Sequence, residues 1–158
     1  MHAQLSTHSV EPRQRLAFWT DMVCSTYVQL ECDAAQGSST IDGQISAQQL
    51  ATLQLSQVIS TPQVVRRTAA KIARSAEDYF LVSIQTRGEG LIAQDGRIAR
   101  LAVGDFALYD STRPYELRFD APFEQAVLRL PGAVLRSALR GTQALTPAQS
   151  AASAARAI

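Results

Sequence analysis

Residues 88–119, GEGLIAQDGRIARLAVGDFALYDSTRPYELRF, decide the fold. Gly88-Glu89-Gly90 makes a tight break, and Asp95-Gly96 predicts a two-residue hairpin turn, where glycine takes positive φ without steric cost. Gly104-Asp105 predicts a second turn. Arg113-Pro114 ends a strand, because proline has no N–H to donate to a ladder. Between these points lie Leu91-Ile92-Ala93, Ile98 to Val103, Phe106 to Tyr109 and Tyr115 to Phe119. Strands this short, evenly spaced and cornered by glycine, predict a mainly β chain folded as a small closed barrel or jelly roll.

The spacing inside this stretch resembles the second motif of cupin barrels: glycine, five residues, proline, any residue, glycine, then a histidine. Here Gly96 and Gly104 hold the glycine positions. Ala102 stands where proline is usual, and Ala107 where the metal-binding histidine would be. The corners are retained and the metal chemistry is missing.

Working outward, residues 1–8 read as an unanchored tail. Ser9 is an expected N-cap, followed by Glu11 and Pro12 in the first turn of a helix. Leu16, Trp19, Met22 and Val23 recur at helical spacing, so Glu11 to about Cys24 is an amphipathic helix with Trp19 as its core anchor. Strands are expected over Tyr27–Cys32, Ile41–Ile45, Leu53–Ile59 and Val64–Thr68, with a polar loop over Asp33–Thr40 and a loop or short helix over Ala69–Ala76. Phe80, Val82 and Ile84 alternate with Leu81, Ser83 and Gln85, and the first three read as the apolar face of a strand. Phe123–Leu130 is the last strand. Val134–Leu139 begins a helix that Gly141 breaks, and Thr146-Pro147 caps a second, alanine-rich helix to Ile158. That helix carries so little apolar area that the chain reads as cut from a longer protein.

Composition narrows the function. The chain has 158 residues, enough for one domain with a real core, and its formal net charge is +1, which leaves no electrostatic footprint for nucleic acid. Cys24 and Cys32 have no zinc spacing and make no disulfide framework, which fits a reducing cytoplasm. No apolar run approaches a membrane span, so no membrane partner is expected. The only histidines, His2 and His8, lie in the N-terminal tail, so neither a metal centre nor a histidine base is expected, no catalytic residue is assigned, and no cofactor is called for.

The helix with Phe18-Trp19, the strand Val64-Val65-Arg66-Arg67-Thr68, the Gly88-Glu89-Gly90 corner, the run from Gln94 through Gly104-Asp105 to Arg113-Pro114-Tyr115, and Leu130-Pro131 occur in this order. Together they resemble the N-terminal regulatory domain of AraC/XylS-family transcription activators, of the AraC-binding-like cupin type. The resemblance implies a cytoplasmic effector-sensing and dimerising module: a flexible tail at 1–8, a cupin-like domain at 9–132, and the start of a helical dimerisation and linker region at 133–158. DNA would be contacted only through a C-terminal helix-turn-helix domain absent from this chain. The implied partners are a small-molecule effector, such as an organic acid or an aromatic, and a second copy of the chain.

A barrel interior offers apolar walls and a few orienting polar groups. The expected ligand-binding set is Arg66, Arg67, Phe80, Val82, Tyr109, Ser111, Arg113 and Tyr115. An inward arginine would suit a carboxylate through its bidentate fork. Against this stand structural readings: Arg66 and Arg67 as a solvated edge or salt bridge, Arg113 as a brace to Asp110, and Tyr115 as core. If Phe106 and Leu108 face the core, Tyr109 and Ser111 face away. Val134, Leu135, Ala138 and Leu139 are the expected dimer interface. Two rivals stand beside the regulator: a small metal-free cupin enzyme of isomerase or epimerase type, and an oligomerisation module with a filled barrel.

Overall fold

Turn chemistry sets the strand ends much as expected. In the computed structural model, which describes residues 2–139, Asp95 and Gly96 both take positive φ, 54° and 73°. They close a hairpin in which Gln94 faces Arg97. Two left-handed residues in a row match the right-handed twist of the flanking strands. A second tight hairpin joins Leu50 to Leu53, with Ala51 held at φ 55°. Alanine gives no sequence signal for that conformation, so the turn was not expected.

The described residues form, in chain order, β1 (His2–Ser6), α1 (Arg15–Thr26), β2 (Glu31–Ala34), β3 (Gly43–Leu50), β4 (Leu53–Ser60), β5 (Gln63–Arg67), α2 (Ala69–Ala73), β6 (Tyr79–Arg87), β7 (Gly90–Gln94), β8 (Arg97–Leu101), β9 (Phe106–Asp110), β10 (Tyr115–Phe119), β11 (Phe123–Pro131) and α3 (Gly132–Ala138). One sheet runs β1-β3-β4-β11-β6-β9 and the other β2-β5-β10-β7-β8. The architecture is the expected mainly β jelly roll of cupin type, with helices near both ends. The two sheets face each other without closing into one hydrogen-bonded barrel. On one side α1 packs against both β2 and β3, and on the other the edge strands β8 and β9 meet.

Three expectations about the N-terminal part of the chain need correction. Within the expected tail, residues 2–8 are not free: β1 pairs antiparallel with β3, from His2 opposite Gln48 to Ser6 opposite Gln44. Thr7 is fully buried, and its Oγ1 accepts a hydrogen bond from the Gly43 N–H at 3.0 Å. Backbone pairing along the open edge of β3 needs no apolar side chains, and β1 is largely exposed, so its sequence carries no pattern. Second, the N-terminal helix starts at Arg15, after short 3-10 turns at Thr7–Ser9 and Pro12–Gln14. Third, the strand expected at Tyr27–Cys32 sits later, at Glu31–Ala34, with buried Tyr27, Val28 and Leu30 leading into it.

The largest correction concerns β6. Leu81, Ser83 and Gln85 face inward, while Phe80 packs with Leu108, Leu130, Val82, Leu128 and Leu135 in a separate cluster outside the six-stranded sheet, beneath α3. Both faces of this strand are buried near its start, so apolar alternation could not say which face looks inward. β9 follows the same logic: Ala107 and Tyr109 join the main core, and Leu108 points out.

α1 is pinned to the six-stranded sheet at both ends. Arg15 Nη1 meets Asp42 Oδ1 at 2.7 Å. The last carbonyls of the helix accept from side chains of that sheet, Thr26 O from Gln54 Nε2 and Tyr27 O from Arg129 Nη1, each at 2.8 Å. Trp19 is 0% exposed because Gly43 beneath it lacks a side chain; a Cβ there would come within 2.8 Å of the indole Cε3. The helix break expected at Gly141, the helix expected over Thr146–Ile158, and most of the region from 133 to 158 lie outside the described residues.

Candidate functional site: the cavity between the sheets

Inward-facing side chains of both sheets and of α1 surround a cavity of about 40 Å³, room for roughly three water molecules. At one end stand Trp19 from α1, Gln63 from β5, Phe119 from β10, and Phe123 and Gln125 from β11. Phe119 lies opposite Gln63 and Phe123 opposite Ser60, so strand register alone brings these residues together. The two phenylalanine rings are stacked, with centroids 3.5 Å apart and planes 9° from parallel.

The polar groups here form short chains of amides. Trp19 Nε1 donates to Gln63 Oε1 at 2.9 Å, and Gln63 Nε2 donates to Ser60 Oγ at 3.1 Å. Gln125 Nε2 donates to Gln85 Oε1 at 2.8 Å, and Gln85 Nε2 to the Arg87 carbonyl at 2.9 Å. Buried amides need such partners, and these fix the orientation of each side chain.

Tyr27, Tyr109 and Tyr115 line the other end. Ser56 Oγ donates to the Val127 carbonyl at 3.2 Å, so the Tyr27 hydroxyl, 2.6 Å away, is the donor to Ser56. The Tyr109 hydroxyl shares a 2.7 Å hydrogen bond with Ser83 Oγ, and its ring meets Tyr115 edge-on at 4.8 Å. Burial pushes the Tyr109 hydroxyl up to about 12, against a smaller pull downward from Ser83. Burial raises Tyr27 and Tyr115 as well. All three phenols are therefore neutral at physiological pH. Among the described residues, none that lines the cavity carries a formal charge.

The expected ligand-binding residues divide sharply. Tyr109 and Tyr115 reach the cavity. Phe80 and Val82 do not, since they belong to the outer cluster under α3. Arg66 lies on the outer face of its sheet, 36% exposed, paired with Asp33 and with Glu116 at 3.1 Å. Arg67 is buried but works as a clamp: Nε donates to Ser111 O at 2.9 Å, Nη1 to Gln29 O at 2.8 Å and Nη2 to Ser75 Oγ at 3.4 Å, with Glu77 at 3.6 Å. Its donors are taken by the chain itself. Ser111 is likewise structural, its Oγ accepting from Tyr79 N at 2.9 Å. Arg113 braces its loop to Asp95 and, at 3.4 Å, to Asp110. Trp19, Tyr27, Gln63, Phe119, Phe123 and Gln125 line the cavity beyond the expected set. In-facing glutamines at Gln63 and Gln125 were the available signal, because an amide alternating with Val65 or Val127 shares that residue's face.

On α3, Leu135 packs back onto the outer cluster, whereas Val134, and Leu139 just past the end of the helix, are exposed at 43% and 47%. Ala138 is exposed beside them. Arg136 holds the helix in place through Asp78 at 2.6 Å and Asp110 at 3.9 Å.

A jelly roll of cupin type with a small, mostly apolar cavity between its sheets defines the class of protein. Residues 19–158 match the model of the AraC-binding-like domain, and the chain belongs to that family. An uncharacterized protein in the nit 5′ region of Bacillus sp. (strain OxB-1) is 45% identical over 141 residues, 89% of this chain and 54% of that protein. The transcriptional activator NphR of Rhodococcus sp. is 26% identical over 137 residues, covering 87% of this chain and 41% of the relative. The chain thus spans about half the length of the curated relatives it matches. The crystal structure of the AraC-like transcriptional activator CuxR superposes with a TM-score of 0.77 over 87% of this chain and 50% of that one, at 16% identity, which shows a shared fold.

Proposed function

We propose that this chain is the effector-sensing and dimerising part of a DNA-binding transcription regulator that works in the cytoplasm. One observation carries the reading: an AraC-binding-like domain has a small, mostly apolar cavity between its sheets, walled by a helix that packs on both. Solid cores hold few voids larger than a water molecule, and an apolar cavity with a handful of convergent polar groups is the usual form of a small-molecule site. The effector domain spans residues 2–132, the tail included, and the dimerisation region starts at α3. DNA contact falls to the remainder of the parent protein. The role is regulatory, a reading supported by the match to the AraC-binding-like domain and by the likeness to the transcriptional activator NphR.

The exposed side of α3, with Val134, Ala138 and Leu139, is the proposed dimer contact, and Leu135 serves its own sheet instead. Light scattering across a concentration series tests this: the wild-type chain should dimerise and Val134→Glu should weaken the dimer at least about tenfold, as expected when a charge is buried in an apolar interface. A chain that stays monomeric at every concentration would refute dimerisation. Thermal-shift screening of small organic molecules tests the sensing half, and a melting temperature that no compound moves would refute it.

A further inference from the structure

We infer that the effector is an uncharged, ring-bearing molecule, with one or two hydrogen-bonding groups held at the Gln63–Gln125 end, and that carboxylates and cations are excluded by the same wall. The inference rests on the ligand-sensing reading above and sharpens it.

Charge is the first argument. A ligand carboxylate brought between the sheets would lose its water and need a cation or several N–H donors in return. The arginine at the correct register for that task, Arg67, spends its fork on Ser111, Gln29 and Ser75. The arginine beside it, Arg66, lies on the other face of the sheet with Asp33 and Glu116. A ligand ammonium is no better served, since no carboxylate reaches the cavity wall. Amides and phenols, by contrast, both donate and accept, so they match a neutral dipole of either sense once the Gln63–Ser60 and Gln125–Gln85 hydrogen bonds are exchanged for bonds to the ligand.

Shape is the second argument. At about 40 Å³ the cavity is smaller than the roughly 150 Å³ void that takes up benzene in an engineered core. A ring can enter only if side chains part. Phe119 and Phe123 are placed to do so. They end β10 and begin β11, and the turn between them, residues 120–122, is exposed. Their near-parallel contact at 3.5 Å is a face-to-face sandwich, less favourable than offset or edge-on packing. Exchanging that contact for a flat ligand costs little aromatic attraction, and the incoming ring comes to lie beside the Trp19 indole and the two amides.

Isosteric probes differing only in charge test the proposal: benzamide, benzoate and benzamidine, with their 2-naphthyl counterparts. Trp19 is the only tryptophan of the chain, so its emission reads binding in the cavity directly, and melting temperature gives an independent readout. The expected result is that an amide quenches or shifts Trp19 emission and raises the melting temperature, with its carboxylate and amidine at least about a hundredfold weaker. Gln125→Lys, or Gln63→Lys should the first not fold, should reverse the preference toward the carboxylate. A carboxylate or amidine that binds the wild-type chain as tightly as the amide would overturn the charge inference and leave the sensing site standing. Failure of all six probes to move either readout at millimolar concentration would count against the site itself.

Discussion

Arg66 and Arg67 are adjacent, chemically identical and indistinguishable in the sequence, yet the fold gives them opposite roles, and substitution should expose the difference. Arg67→Met keeps most of the side-chain volume and removes two short charge-assisted hydrogen bonds, to Ser111 O at 2.9 Å and Gln29 O at 2.8 Å. Gln29 is exposed, so its carbonyl regains water and the loss there is about 1 kcal/mol. Ser111 is 0% exposed, and its carbonyl stays dry at a cost of about 2 kcal/mol. The expected destabilisation is about 3 kcal/mol, a large share of the roughly 5–15 kcal/mol that holds a domain together. Arg66→Met removes half-exposed ion pairs to Asp33 and Glu116 and should cost under about 1 kcal/mol. In urea unfolding followed by circular dichroism and Trp19 emission, the Arg67 variant should move the midpoint by roughly 1.5 M. Its melting temperature should fall by roughly 6–12 °C. If both variants unfold alike, or the Arg67 variant keeps wild-type stability, then Arg67 does not clamp these loops and the case against it as an acid receptor collapses.

Three further expectations follow from single contacts. Ala51→Gly should stabilise the chain by about 1 kcal/mol, because Ala51 sits at φ 55° where a Cβ is disfavoured; a lowered urea midpoint would refute this. Gly43→Val would drive a side chain into the Trp19 indole and should cost about 1–3 kcal/mol, with a red shift in Trp19 emission as the ring is displaced toward water; unchanged emission would contradict the packing described. Burial raises the folded-state pKa of Tyr27, Tyr109 and Tyr115, Tyr109 to about 12. A raised pKa in the folded state means the contribution to stability is complete below pH 10 and is lost as pH climbs toward 12. Absorbance at 295 nm should therefore show these three ionising only together with the loss of circular dichroism, and ionisation within an intact fold would refute their burial.

The sequence disclosed this fold where local chemistry is decisive. Asp95-Gly96, Gly104-Asp105 and Arg113-Pro114 each constrain the backbone on their own, so the β7–β8 and β9–β10 region was legible residue by residue. β1 was illegible because it is held by main-chain pairing to β3 and shows largely exposed side chains. The site was half legible for a different reason. A period of two says which residues share a face, but only the partner strands say whether that face looks inward. In β6 the more apolar set, Phe80 and Val82, is covered from outside by Leu108, Leu128, Leu130 and Leu135, while Ser83 and Gln85 look into the core. Hydrophobicity therefore pointed the wrong way on this strand, and it hid Gln85, which accepts from the Gln125 amide of the cavity wall.

The end of β9 explains how an interior site and an exterior helix can belong to one device. Three consecutive residues there face three structures. Tyr109 lines the cavity and bonds to Ser83. Asp110 meets Arg113 at 3.4 Å and Arg136 of α3 at 3.9 Å, and its backbone is bracketed by both ends of the Gln94 amide, at 2.8 and 3.1 Å. Ser111 receives Arg67. On the ligand-sensing reading, a molecule long enough to reach from the Gln63–Gln125 end to the Tyr109 ring loads the segment whose next carboxylate helps to seat α3. A ligand shifts an equilibrium only by the difference in its affinity for two arrangements, so coupling requires that α3 have a second seating. Arg136 is the contact that would set the gap between them, because it alone joins α3 to both Asp78 and Asp110 among the ion pairs of the described residues. Arg136→Met should accordingly leave probe binding at the Gln63–Gln125 end within about threefold of wild type, since it touches no cavity residue, while making the dimer insensitive to the probe. A variant whose dimerisation still responds to ligand as the wild type does would show that the cavity and α3 communicate by another route, or not at all.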